Sequence, residues 1–101
     1  MCDLSSEVEG HYVENGYVLD IGKVEYNSFS IAESWHGIDL LRDNYAQLRM
    51  LIGNTLYFAI YNPESLGYEM HYLTYIPAQD SPFGKDVVYL DGDDTMPFEK
   101  E

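Results

Sequence analysis

Two short runs of aromatic and β-branched residues flank Asn15-Gly16, in the stretch "HYVENGYVLDI" (residues 11–21). Such runs favour strands. Asn-Gly accepts the positive φ angles of a two-residue turn, so the pattern predicts a β-hairpin. Gly22-Lys23 then turns into a third predicted strand, "VEYNSFSIAE" (24–33). Its apolar positions run Val24, Tyr26 and then slip to Phe29, Ile31, which predicts a bulge near Asn27-Ser28.

The periodicity changes after Ser34. Ile38, Leu41, Tyr45, Leu48 and Ile52 recur at steps of three and four, the spacing of one apolar stripe on a helix. This predicts a helix over residues 35–52, with Ser34 as its N-cap, Tyr45 in the core and Gly53-Asn54 as its stop. Beyond it, "NTLYFAIYN" and "GYEMHYLTYIP" read as strands joined by the turn "PESLG", and "DVVYL" (86–90) as a last strand before an acidic tail, 91–101. The expected fold is therefore α+β: a single domain over 1–101, with an antiparallel sheet of about five to six strands and one helix on one face. Such a sheet leaves its other face to solvent or to a partner.

Composition supports a folded chain, because 46% of residues are hydrophobic and 15% aromatic. Charge changes the picture. Eighteen Asp and Glu stand against five Lys and Arg, a formal net charge of −13. Small soluble domains are well served by a magnitude of about 2–8, and more adds self-repulsion. A lineage with an acidic proteome is the bland explanation; a use for the charge is the other. Anionic membranes and nucleic acids would both be repelled, so neither is expected as a direct partner. The first residues, "MCDLSSEVEG", lack the basic and apolar regions of a signal peptide. Cys2 has no second cysteine to pair with. The expected location is the cytoplasm, that of the host if a phage encodes the chain.

Little chemistry follows from motifs. His11, His36 and His71 do not stand at the spacing of a helical zinc pair. No serine occupies a G-x-S-x-G elbow, and no glycine loop cradles phosphate. "DGDDTMPFEKE" begins like a calcium loop, but Met96 stands where glycine is needed and Pro97 follows. Cys2 lies near an end and has no apparent base. No catalytic residue, cofactor or metal is expected.

The surface remains. Glu7/Glu9 and Asp91/Asp93 are two apart, about 6.6 Å on a strand. Asp39/Asp43 are four apart, roughly 5–6 Å on a helix. Phosphates on a DNA strand step about 3.4 Å along the axis and, with winding, lie at roughly twice that separation, so carboxylates so spaced can take phosphate positions against a basic groove. Asp94 extends the acidic run and Glu69 lies among the sheet tyrosines. The ten tyrosines supply large contact area at small entropic cost. Tyr57, Tyr61, Tyr72 and Tyr75 are placed on sheet faces. Tyr72 and Tyr75, three apart on one strand, must face opposite ways.

In class character over the whole chain, the sequence resembles the phage and mobile-element proteins that block restriction, CRISPR or repair machinery. No motif carries the resemblance, and it assigns no residue a role. It implies a non-enzymatic inhibitor, monomeric or weakly dimeric, that mimics DNA or RNA on a basic nucleic-acid-binding protein. An immunity or antitoxin protein against a basic nuclease would show the same surface. A small acidic ligand-binding domain or enzyme would need a deep pocket, and an assembly subunit a dominant apolar patch.

Overall fold

Asn15 and Gly16 have φ of 48° and 86°, the two successive left-handed residues that close a type I′ hairpin. On either side β1 (Gly10–Glu14) pairs with β2 (Tyr17–Ile21), from Glu14↔Tyr17 out to Gly10↔Ile21. The same device recurs at His36 and Gly37, with φ of 48° and 84°. It joins β3 (Ser28–Trp35) to β4 (Ile38–Ile52) through the pair Trp35↔Ile38. The computed structural model describes residues 8–22 and 27–101. Its remaining elements are β5 (Thr55–Asn62), β6 (Gly67–Ile76), a short 3₁₀ turn Ala78–Asp80, β7 (Val87–Leu90) and β8 (Phe98–Lys100).

Each strand pairs antiparallel with the next, and β8 returns to β1, so the sheet closes into an eight-stranded barrel. This overturns the expected α+β fold. Among the described residues no helix packs on the sheet, and residues 38–52 form β4, the longest strand. Ser34, expected as an N-cap, pairs with Val18 and Asp39 in the ladders. Gly53-Asn54 is the turn between two strands rather than a helix stop. The stripe itself comes apart: Leu41 and Leu48 pack on the core, while Ile38, Tyr45 and Ile52 are exposed. Tyr45, expected in the core, is 77% exposed. Residues 38–52 contain good helix formers, but strand partners on both sides outweigh that local preference.

Bulges explain how β4 imitated a helix. Register shifts fall between Phe29 and Ile31, between Glu33 and Ser34, and between Leu48 and Met50. Each extra residue moves the alternation onto the other face, which turns a period of two into irregular three- and four-residue steps. The shift nearest the bulge predicted at Asn27-Ser28 lies between Phe29 and Ile31, but its extra residue is on β4, whose partners Ala46 and Asp43 are three apart; Val24 and Tyr26 lie outside the described residues. β4 also changes partner along its length, pairing with β3 from Ile38 to Gln47 and with β5 from Gln47 to Ile52.

An eight-stranded barrel is just wide enough for its own side chains to fill. Leu19, Phe29, Ile31, Leu56, Phe58, Leu73, Val88 and Phe98 do so, each at most 2% exposed. Phe29 and Phe58 meet edge to face at 5.2 Å between centroids, a favourable aromatic geometry. Tyr12 is fully buried, and its hydroxyl donates to the Val8 carbonyl at 2.5 Å. Burial pushes its phenol well above the ordinary range, with Tyr75 and Asp86 adding to the effect. Phe98–Lys100, within the stretch read as a tail, is the strand that closes the ring. Among the described residues no helix is long and apolar enough to cross a membrane.

Candidate protein-binding surface

In an up-and-down barrel alternate connections lie at the same end. Here the turns 15–16, 36–37 and 63–66 and the loop 91–97 share one end. In and beside them stand Glu14, Asp39, Glu64, Asp91, Asp93 and Asp94. Arg42, near the β3–β4 turn, lies 3.5 Å from the Asp39 carboxylate. At the same end the β3–β4 tip leaves Trp35, Ile38 and Leu40 between 40% and 58% exposed. Tyr17 supports Trp35 from the neighbouring strand, ring centroids 6.1 Å apart. Apolar residues and carboxylates at one end of the barrel make that end amphipathic.

The loop 91–97 is held in place by its first residue. Asp91, at φ 54°, donates its N–H to the Tyr72 carbonyl at 2.8 Å. Its carboxylate accepts the Tyr72 N–H at 3.2 Å and the His71 Nδ1–H at 2.8 Å. Asp93 folds onto the loop itself, accepting from the N–H and hydroxyl of Thr95. Gly92 is required by packing, since a Cβ there would stand 2.4 Å from the Tyr72 hydroxyl oxygen and its φ is +74°. Asp91 is thus a structural tie as well as a charge, while Asp94 is exposed.

Below this loop the barrel mouth holds a cavity of about 220 Å³, lined by Glu33, Leu90, Asp91, Asp93, Met96 and Phe98. Glu33 pairs in the ladders with Leu19 and Leu41, so its side chain shares the inward face. Burial raises its carboxyl above the usual glutamate range; the Asp91 charge adds to this and His71 partly offsets it. His71 lies against the Phe58 ring, and its Nε2 is buried with no hydrogen-bond partner among the described residues. A carboxylate holding His Nδ1–H is half of a nucleophile-activating arrangement. Among the described residues that line the cavity there is no Ser, Thr or Cys to complete it. Among the described residues no group of His, Cys, Asp and Glu is arranged to hold a metal ion.

The sheet tyrosines sort by strand parity. Tyr57 pairs with Tyr72 and Tyr61 with Tyr68 across β5 and β6, with ring centroids 5.6 and 5.5 Å apart. All four lie on the outside of the barrel. Tyr75, placed on a candidate binding face by the sequence, is inside and 3% exposed. The remaining predicted residues scatter. Glu9 is exposed at the start of β1, and Glu7 lies outside the described residues. Asp39 and Asp43 are not helical neighbours; four residues of extended strand separate them by roughly 13 Å. Asp43 is half-buried, and its carboxylate accepts the backbone N–H groups of Tyr45 and Tyr61 at 2.8 and 3.2 Å. Glu69, at the loop-bearing end of β6, accepts from the Asn62 amide at 3.2 Å.

Sequence reasoning missed Trp35, Ile38 and Leu40, because a helix over 35–52 put Ile38 in its apolar stripe and concealed the turn that exposes all three. The available signal was His36-Gly37, a turn dipeptide inside that segment. Comparison with known protein families, with curated proteins and with solved structures finds no match.

Proposed function

We propose that this chain is a non-enzymatic inhibitor that binds the basic nucleic-acid-binding surface of a partner protein in the cytoplasm, in place of DNA or RNA. The observation that carries this reading is the acidic end of the barrel, where the loop carboxylates and the exposed Trp35, Ile38 and Leu40 share one set of connections. Long-range attraction between this end and a basic groove accelerates encounter. The apolar tip then slows release, since affinity differences between related complexes lie mostly in the off-rate.

Closed-barrel geometry fits the role. Carboxylates on short, hairpin-anchored connections are pre-organised, so less entropy is lost on docking than with a mobile acidic segment. The test is affinity capture of the partner from the native host, followed by competition with labelled nucleic acid. Displacement that weakens as salt rises is the expected result. A ternary complex with undiminished nucleic-acid affinity would overturn mimicry.

A further inference from the structure

The outer face of β4–β6 differs from the rest of this surface. The outward positions of β5 and β6 are Thr55, Tyr57, Ala59 and Tyr61, then Tyr68, Met70, Tyr72, Thr74 and Ile76. Those of the β5-paired part of β4 are Gln47, Met50 and Ile52, with Arg49 at the bulge. None is a carboxylate, in a chain with eighteen of them. Arg49 is the single charge, and it lies over the Tyr68 ring, 5.9 Å from its centroid. Met50, Ile52, Tyr61, Tyr68 and Met70 are each 45–61% exposed. Ala59, outward by parity yet 1% exposed, shows how continuous the layer of larger side chains over it is.

We infer that this tyrosine–methionine face is a self-association surface, on which a second copy of the chain docks. Two considerations choose that occupant. The first is charge. Two molecules of −13 repel each other, so the favourable approach joins the faces that carry no carboxylate. A basic protein has its electrostatic gain at the loop end and none here. The second is area. A buried tyrosine covers roughly 150–250 Å², so five large, half-exposed residues offer several hundred Å². That exceeds the isolated apolar residues normal on a monomer and approaches the contribution of about 800 Å² per partner in a standard interface. The face is self-complementary in kind, as a two-fold interface requires. Ladder tyrosines and flexible methionines can interdigitate, and Met adapts its shape to fill gaps.

This surface is independent of the acidic end, and salt separates the two. Binding of a basic partner weakens as salt screens attraction. Self-association strengthens, because salt screens the repulsion between like-charged copies and leaves apolar contact intact. Sedimentation velocity over a concentration series, at low and high salt, is the experiment. The expected result is a monomer–dimer equilibrium shifted toward dimer by salt. Met70→Glu, at the centre of the face, weakens it at least tenfold with no change in melting temperature, and Tyr68→Ala weakens it several-fold. Phe83→Glu, an equal change in charge at an exposed apolar residue outside the face, leaves it unaltered. A chain monomeric throughout the series, or a dimer that salt dissociates or that survives Met70→Glu, overturns the proposal. So does a monomer whose Met70→Glu variant loses the captured basic partner, which would give the face to that partner.

Discussion

The Asp43 carboxylate accepts the backbone N–H of Tyr61 at 3.2 Å, across the place where β4 leaves β5. Its other oxygen accepts the N–H of Tyr45 at 2.8 Å. A side chain here does the work of a ladder carbonyl, in the stretch where β4 pairs with β3 and its pairing with β5 has not begun. Asp43→Ala is expected to lower stability by about 1–2 kcal/mol, from loss of hydrogen bonds to a charged acceptor near the surface. Urea titration measures this. An unchanged midpoint would show that solvent serves the two N–H groups as well.

Charge at the loop end is best tested away from Asp91, since Asp93 bonds within its own loop, to Thr95, whereas Asp91 ties that loop to β6. Asp93→Lys together with Asp94→Lys should slow association with the captured partner and flatten its salt dependence, with a smaller effect on dissociation. Asp91→Lys is a different experiment, because it also removes acceptors from His71 and Tyr72. Stopped-flow kinetics at several salt concentrations separate the two. Association unaffected by the Asp93/Asp94 reversal at low salt would move recognition elsewhere on the molecule.

Glu33 gives the molecule a pH signature. Its folded-state carboxyl titrates above the unfolded value, chiefly through burial and then through Asp91. The folded state therefore holds the Glu33 proton more tightly, and this stabilising contribution is complete below the unfolded value. It is lost as pH rises through the raised one. Glu33→Gln mimics the protonated form at every pH. The variant should match the parent in melting temperature under acid conditions and exceed it near neutrality. Equal melting temperatures at both ends would mean that the Glu33 carboxylate is fully solvated.

Tyr72 and Tyr75 should separate by stability. Tyr75 is part of the core, so Tyr75→Ala is expected to cost about 3–5 kcal/mol. Tyr72 is 37% exposed over Gly92. Tyr72→Ala should cost less than Tyr75→Ala, and it should weaken self-association. Thermal melts and sedimentation of both variants decide the assignment; equal losses of stability would contradict it.

Much of the strand content was readable, and one long segment was not. Asn15-Gly16 identified its hairpin because a type I′ turn is chemically selective. β5, β6 and β7 followed from aromatic and β-branched runs between turn residues. β4 failed because its bulges break the period-two pattern, and a broken period of two looks like a helical one. Closure was also illegible, since the pairs Tyr12↔Lys100 and Val13↔Glu99 depend on two short segments at distant points of the chain. At the surface, parity correctly set Tyr72 against Tyr75. Which of them was inside could not be read, because both faces of that strand are apolar. Asp43 carried no hint of its backbone role, which exists only where two ladders part.

Closing the ring also decides how this molecule cannot be recognised. A strand-rich chain with an open sheet offers a row of unpaired N–H and C=O groups, and many peptides bind by adding a strand there. In this fold every described strand has two neighbours, so most of that row is spent internally, although residues 38–46 of β4 pair in the ladders with β3 alone and 67–72 of β6 with β5 alone. Recognition is left mostly to side chains and turns. The thinnest borders flank β8, held by two residue pairs to β7 and by two at the seam with β1. If that seam parts, the molecule regains two sticky borders at once. Amide exchange at this seam would then measure how well the chain is protected from templated aggregation, a hazard that its large negative charge further suppresses.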